Sequence, residues 1–359
     1  MILIDHTSQP GGAELALPRI ARHSRLSWQF AFLEPLTNAL PFDDGVVVVA
    51  PKKQQGPLAQ MFFLRRLLRE HPGDVIASNT LRAAVLVAAL QSRHQVHVQL
   101  LRDGVSSDSL SLGKRLASRF AFSRVTKILP NSVWTGRSVP SRFRERVSAP
   151  VFSPSGTPAD VVTQAPDDLP DIPLRLLSLS RVVEWKGIHV ILEALSLLTA
   201  DTSSSSIELT IAGDALMGSE AYVERLRSAA AALPFVVVFL PHQLDVDTLL
   251  TQHDVLVHAS IRPEPFGQVI VQGLSHGLPV LASRGGGPDE LIRDGETGLL
   301  HEPGDPRSLA ASISLLLKQP ATRKLLGTAG ARAAASFSDT TCVSLLDAEL
   351  VQVMTSNGR

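Results

Sequence analysis

A single cysteine, Cys342, stands among 359 residues, which rules out a disulfide framework and any cysteine-based metal cluster and suits a reducing compartment. No stretch approaches the ~20 apolar residues that a membrane-spanning helix needs. The opening MILIDHTSQPGG has an acid at its fifth residue and no basic n-region, so it does not read as a secretory signal, and the expected location is cytoplasmic. No Gly-x-x-x-x-Gly-Lys-Ser/Thr run occurs, which leaves an ATPase without support. Net charge is missing as well, with 34 Lys+Arg against 34 Asp+Glu, and no nucleic-acid partner is expected.

The zero conceals an asymmetry. Residues 1–150 hold 20 Lys+Arg and 10 Asp+Glu, and the remainder holds 14 and 24. A basic half followed by an acidic half suggests two lobes with different partners, although charges that merely decorate two solvated surfaces explain it equally. The apolar share of 44% and the length fit two domains rather than one core.

What is present is a series of short apolar strands, each followed by ten or more residues of helical pattern. ILIDHT, GVVVVA, DVIASN, VHVQLL and KILPNS carry the first half; LRLLSLS, IELTIAG, FVVVFL, DVLVHA and PVLASR carry the second. Continuous Val/Ile/Leu strands alternating with helices predict parallel sheets covered on both faces, an α/β doubly wound design occurring twice. The Pro-, Ser-, Thr- and Asp-rich stretch near 155–172 reads as the linker. The spacing of Val343, Leu346, Leu350 and Val353 predicts a last helix. In such sheets ligands bind outside the carboxyl ends of the strands, so function is sought in the loops that follow them.

Three of those loops carry chemistry. In Arg262-Pro-Glu264-Pro-Phe266-Gly267, after DVLVHAS, one carboxylate sits at a strand end before a helix expected from about Phe266. Gln272 follows eight residues on, roughly 12 Å along the axis, a span that fits hexose to ribose; a carboxylate that only caps the helix explains Glu264 as well. In Ser180-Arg181-Val-Val-Glu-Trp-Lys186-Gly187, two cations beside a helix N-terminus make an anion site suited to a diphosphate, or are two solvated charges. Gly285, Gly286 and Gly287, like Gly11 and Gly12 before Glu14, let backbone approach a ligand or simply turn. Asp245-Val-Asp247 spells a metal-type DxD but precedes Thr-Leu-Leu as a helix start does. His97 falls inside a strand, where packing explains it.

In order and spacing these segments resemble glycosyltransferase family 4: GGAE, SRVVEWKG, AGDA, PEPFG, GLPVLAS, GGGPDE and GETGLLHEPGD. The likeness is strong over residues 172–306 and patchy before them. It implies a GT-B fold of two Rossmann-like domains facing an interdomain cleft: an acceptor-side domain over 1–160, a donor-nucleotide domain over 161–338, and a helix over 339–359 crossing back to the first. By the resemblance Arg181 and Lys186 would hold the donor diphosphate and Glu264 the hexose, these three being the catalytic set. Gly213, Phe266 and Gly267 would approach the donor, His242 the nucleobase, Gln272 the ribose, and Gly12 the phosphates. The activity implied is retaining transfer of a hexose-type sugar from a nucleotide-diphosphate sugar to an unidentified acceptor, with no metal and no cofactor beyond that donor.

Two departures stand out. The family usually has a second glutamate where this chain has Gln272, which weakens the expected ribose contact. It often has a histidine where Arg102-Asp103 stand here, which makes these two the candidate sugar or acceptor contacts. Gln272 also keeps two other functions in view: a catalytically weak sugar-nucleotide-binding protein and a sugar-nucleotide epimerase. The basic first half, with Arg65, Arg66 and Arg69 among Phe62, Phe63 and Leu64, and with Lys114, Arg115, Arg119, Arg124 and Lys127, suggests a peripheral contact with an anionic membrane; a helix packed on its own sheet explains it equally.

Overall fold

The computed structural model describes residues 1–9, 11–36, 40–106, 110–158, 173–198, 206–215, 218–243 and 245–358. Most of the linker expected near 155–172 lies outside them. The chain divides into two compact units: Met1–Gly156 with Ser338 onward, and Thr157–Phe337.

In the first unit the elements run β1 (Ile2–Asp5), α1 (Gly12–His23), β2 (Gln29–Phe32), β3 (Val47–Val49), α2 (Pro57–Glu70), β4 (Ile76–Ser78), α3 (Leu81–Leu90), β5 (His97–Leu101), α4 (Leu112–Arg124), β6 (Lys127–Pro130) and α5 (Val133–Ser138). The sheet order is β3-β2-β1-β4-β5-β6, and all its pairings are parallel. Ile2, Leu3 and Ile4 are fully buried, because a central parallel strand is covered on both faces. Leu64, Leu67 and Leu68 of α2 pack with Ile2, Ile4 and Val87.

The second unit runs β7 (Leu174–Leu179), α6 (Ile188–Leu198), β8 (Ile207–Ala212), α7 (Glu220–Ala231), β9 (Val236–Leu240), α8 (Val246–Thr251), β10 (Val255–His258), α9 (Gln268–Ser275), β11 (Val280–Ser283), α10 (Pro288–Leu291), β12 (Leu299–His301), α11 (Pro306–Lys318) and α12 (Pro320–Ala334). Its order is β12-β11-β10-β7-β8-β9, again parallel. Read from its third strand, this is the same 3-2-1-4-5-6 order as the first unit, the doubly wound pattern of dinucleotide-binding domains. The direction of winding reverses between β1 and β4 in one unit and between β7 and β10 in the other. At these two points adjacent strands send their following helices to opposite faces, and a crevice opens at their carboxyl ends.

Each sheet has one strand more than the apolar runs indicate, β2 and β12. After Ser338, whose side chain caps it, α13 (Asp339–Ser356) packs with α1 in the first unit. Its buried side chains include Val343, Leu346, Leu350 and Val353, the spacing of a single helix face. Asp347 accepts from Ser24 Oγ and Arg25 N, and Asp339 from Ser155 N and Gly156 N. Among the described residues no helix is long and apolar enough to cross a membrane.

Candidate active site

The reversal point of the second unit lies between β7 and β10, and the loops that follow these two strands hold Lys186 and Glu264. Lys186 ends a short 3-10 turn, Glu184–Lys186, and Gly187 behind it takes a left-handed conformation with φ +67°. That glycine lets the loop lie against the one after β10, where Ile261 N donates to Trp185 O at 2.8 Å. Glu264 is fixed through its backbone: its N–H donates to Gly285 O at 3.1 Å, and its carbonyl accepts from Gly287 N at 2.8 Å. A Cβ on Gly286 would lie 2.1 Å from Glu264 O, and one on Gly287 2.1 Å from Phe266 O. The glycine run thus turns with positive φ at Gly285 and Gly286 and lets the chain's own backbone segments pack closely.

The Glu264 side chain is 13% exposed, and so is that of Lys186. Lys186 Nζ lies 2.5 Å from Glu264 Oε2. Ser260 Oγ donates to the same oxygen at 3.0 Å, and His258 Nε2 stands 3.2 Å from it. Burial opposes ionisation of this carboxyl, yet the Lys186 ammonium and the His258 hydrogen bond outweigh it and hold the group well below the usual carboxylate range. It is an anion at every physiological pH, able to accept hydrogen bonds but not to supply a proton.

Glu264 does not cap α9. The helix starts at Gln268, two residues later than expected, because Gly267 takes φ +98° as its N-cap and no side chain caps it. Phe266 is buried beside it. Gln272 is half-buried on α9 and His276 closes that helix, with Gly277 left-handed at φ +73° just beyond.

The remaining predicted positions of this unit follow neighbouring strands. Arg181 is exposed after β7. Gly213 follows β8 at φ +150°, and a Cβ there would lie 1.9 Å from Ser180 O, so a side chain would push the two loops apart. His242 is exposed after β9, its N–H donating to Asp214 Oδ1 at 2.9 Å. Asp245 caps α8, accepting from Thr248 N and Oγ1, and Asp247 lies 3.3 Å from His276 Nε2. The DxD spelling is thus a helix start.

Gly12, Arg102 and Asp103 belong to the first unit. Gly12 opens α1, and Asp103 is exposed. Arg102 is buried at the end of β5, where its Nε donates to Asn79 Oδ1 and its Nη1 to Ser153 Oγ at 2.6 Å. Asn79 Nδ2 donates in turn to Asp5 Oδ2. Burial draws the Arg102 guanidinium down to about 10. Glu14, in the first turn of α1, is pushed up to about 7 by burial and then by Asp5. His97 is packed: its Nε2 meets Ser78 Oγ at 2.9 Å, and burial lowers its imidazole to about 3.

His258 and Ser260 were not marked by the sequence motifs, and Ser283 only as the last residue of GLPVLAS, with no role given. The available signal was a histidine and a serine two apart at the end of a buried strand, six and four residues before the carboxylate.

Residues 164–333 match the family model for glycosyl transferases group 1. The match falls within the second unit. The chain is 33% identical over 172 residues to the lipopolysaccharide core biosynthesis glycosyltransferase LpsE of Rhizobium meliloti, 47% of each chain. It is 31% identical over 193 residues to a D-inositol 3-phosphate glycosyltransferase of an Arthrobacter species, covering 53% of this chain and 45% of that one. The chain therefore spans about half the length of these curated relatives. Among solved structures, Anabaena HepE in complex with UDP and glucose aligns over 99% of both chains with a TM-score of 0.80 at 23% identity. WaaG, a glycosyltransferase of lipopolysaccharide biosynthesis, aligns over 98% of this chain with a TM-score of 0.66 at 17% identity. The two Rossmann-like units are those of the GT-B glycosyltransferase fold.

Proposed function

We propose that the protein is a retaining glycosyltransferase that moves a hexose-type sugar from a nucleotide-diphosphate sugar to an acceptor, without a metal ion. The observation that carries this is the Lys186–Glu264 pair at the reversal point of the second unit, the part of the chain that matches the group 1 model. Departure of a nucleoside diphosphate builds negative charge on the leaving oxygen and positive character on the sugar. Arg181 and Lys186 are cations set in the loop after β7 to meet the first, each such preorganised group contributing a few kcal/mol. Glu264, ionised and anchored through Oε2, accepts a sugar hydroxyl at Oε1. Double displacement in the manner of retaining hydrolases needs two carboxyl groups about 5 Å apart, and this reading assigns one, Glu264. Front-face transfer, with the leaving phosphate taking the acceptor's proton, is the route this supports. Gln272 serves the ribose and His242 the base. Arg102 and Asp103 of the first unit serve the acceptor or the sugar, and Gly12 the phosphates.

UDP-glucose is the first donor to test, since HepE was solved with UDP and glucose. Slow donor hydrolysis without acceptor is expected. Glu264→Gln should lower it about a hundredfold while UDP binding stays within about threefold, because a neutral amide no longer balances Lys186 or accepts as strongly. Unchanged turnover in Glu264→Gln removes the hexose assignment. Binding of UDP-glucose with no consumption selects a sugar-nucleotide-binding protein, and an epimerised sugar nucleotide selects an epimerase; Gln272 is the residue that favours testing both.

The outer faces of α2 and α4 suit a peripheral contact with an anionic membrane. Leu58 and Phe62 are each 72% exposed on α2, beside exposed Arg65, Arg66 and Arg69; Leu112 and Leu116 are 69% and 56% exposed on α4, near Lys114. Apolar side chains flanked by cations suit the surface of an anionic bilayer, at about 1 kcal/mol per cation. Sedimentation with anionic but not neutral vesicles, lost at high salt, is expected. Sedimentation with neither would dismiss the contact.

A further inference from the structure

His258, at the end of β10, is buried directly behind the Glu264 carboxylate, and the mechanism above leaves it unused. Its Nε2 lies 3.2 Å from Glu264 Oε2 and 3.0 Å from Ser260 Oγ, and Ser260 Oγ is 3.0 Å from the same carboxylate oxygen. On the other side of the ring, Ser283 Oγ, at the end of the adjacent β11, is 3.4 Å from Nδ1. These neighbours fix the proton. A bare Nε2 would set a lone pair against the carboxylate, so Nε2 carries a hydrogen towards Oε2. His301 Nε2 stands 3.1 Å from His258 O and holds the backbone behind the ring.

All three groups that meet the Glu264 carboxylate, Lys186, Ser260 and His258, meet Oε2. No described residue donates to Oε1. We infer that His258 is a positioning residue for Glu264: together with Ser260 it holds Oε2 in place independently of Lys186, so that Oε1 keeps its aim at the donor sugar. This rests on the transferase reading, in which Lys186 also serves the diphosphate. An ammonium shared with an incoming phosphate loosens its grip on the carboxylate, and a carboxylate held by nothing else swings about its last torsion. A displacement of about 1 Å at such a group costs on the order of a hundredfold in rate. Two donors at the end of a buried strand, held against Oε2 by the fold, remove that freedom.

The test compares His258→Leu with His258→Gln, whose amide N–H can replace the imidazole donor. With UDP-glucose as donor, His258→Leu should lose about thirtyfold to a hundredfold in turnover while calorimetric UDP binding stays within about twofold, and His258→Gln should recover most of the loss. Wild-type turnover in the Leu variant overturns the proposal. So does a Gln variant no better than Leu with UDP binding falling alongside, the signature of a packing role. A double-mutant cycle of His258→Leu with Glu264→Gln, read by denaturant unfolding without ligand, should show the two changes to be non-additive; additivity refutes the contact. A wild type that consumes no nucleotide-sugar would sink the transferase reading alone, because the cycle reads the contact without any donor.

Discussion

Lys186→Ala is expected to lower turnover of a nucleotide-sugar donor by about a thousandfold and to destabilise the second unit by about 3 kcal/mol. The two effects share one cause. Lys186 is the ammonium partner of a largely buried carboxylate, and its removal leaves Glu264 with the Ser260 hydroxyl and the His258 imidazole. Breaking such a pair costs more than the pair contributes, because the remaining charge keeps its desolvation penalty without compensation.

The pH dependence separates this from a simple loss of packing. In the wild type the Glu264 carboxyl is held below the ordinary glutamate range, so its contribution to stability is complete above about pH 4.5 and fades as pH falls from there. In the Ala variant burial is no longer outweighed, and the carboxyl binds a proton more readily in the folded state than in the unfolded one. The contribution of Glu264 then has the opposite slope, and the stability gap between the proteins narrows on acidification. Urea unfolding of both at pH 7.5 and pH 5, with Lys186→Met as the size-matched control, measures this. A gap independent of pH in both variants would show that Lys186 acts through packing alone.

That pair was only half legible in the sequence. Lys186 and Glu264 each fell in a loop expected to carry chemistry, but 78 residues separate them, and nothing in the order of residues brings an ammonium to a carboxylate across that distance. The parallel pairing of β7 with β10, Leu176 opposite Val255 and Leu177 opposite Leu256, does so, because it sets the two following loops side by side. Long strands such as IELTIA were readable as continuous apolar runs. The QFAF of β2 and the LLH of β12 carry no Val or Ile, the β-branched residues that mark strands as short as β3 and β4. His258 was hidden for a different reason: inside a buried strand a histidine that packs and one that orients a carboxylate look alike, as His97 and His258 do here. Only the neighbours across the sheet tell them apart.

Gly187→Ala is expected to destabilise the second unit by about 3 kcal/mol and to cost roughly a hundredfold in turnover, although residue 187 contributes no side chain to the site. Two penalties add. At φ +67° an alanine is held in the left-handed region, at a cost of about 1 kcal/mol. Its Cβ would then stand 1.9 Å from Ala259 O, 2.9 Å from Ala259 C and 3.1 Å from Ile261 Cγ2. Backbone cannot yield as the tip of a flexible side chain does, so the two loops must part by about 1 Å before the contact is tolerable. Parting them strains the Ile261 N–Trp185 O hydrogen bond of 2.8 Å, worth about 1 kcal/mol, and carries Lys186 away from Glu264. Gly295 supplies the control, since it is left-handed at φ +76° and an added Cβ there meets nothing within 4 Å. Gly295→Ala should therefore pay the conformational term alone, about 1 kcal/mol, and leave turnover near wild type. If denaturant unfolding and donor turnover put the two alanine variants level, the approach of the loops after β7 and β10 has slack in it, and the alignment of Lys186 with Glu264 does not depend on Gly187.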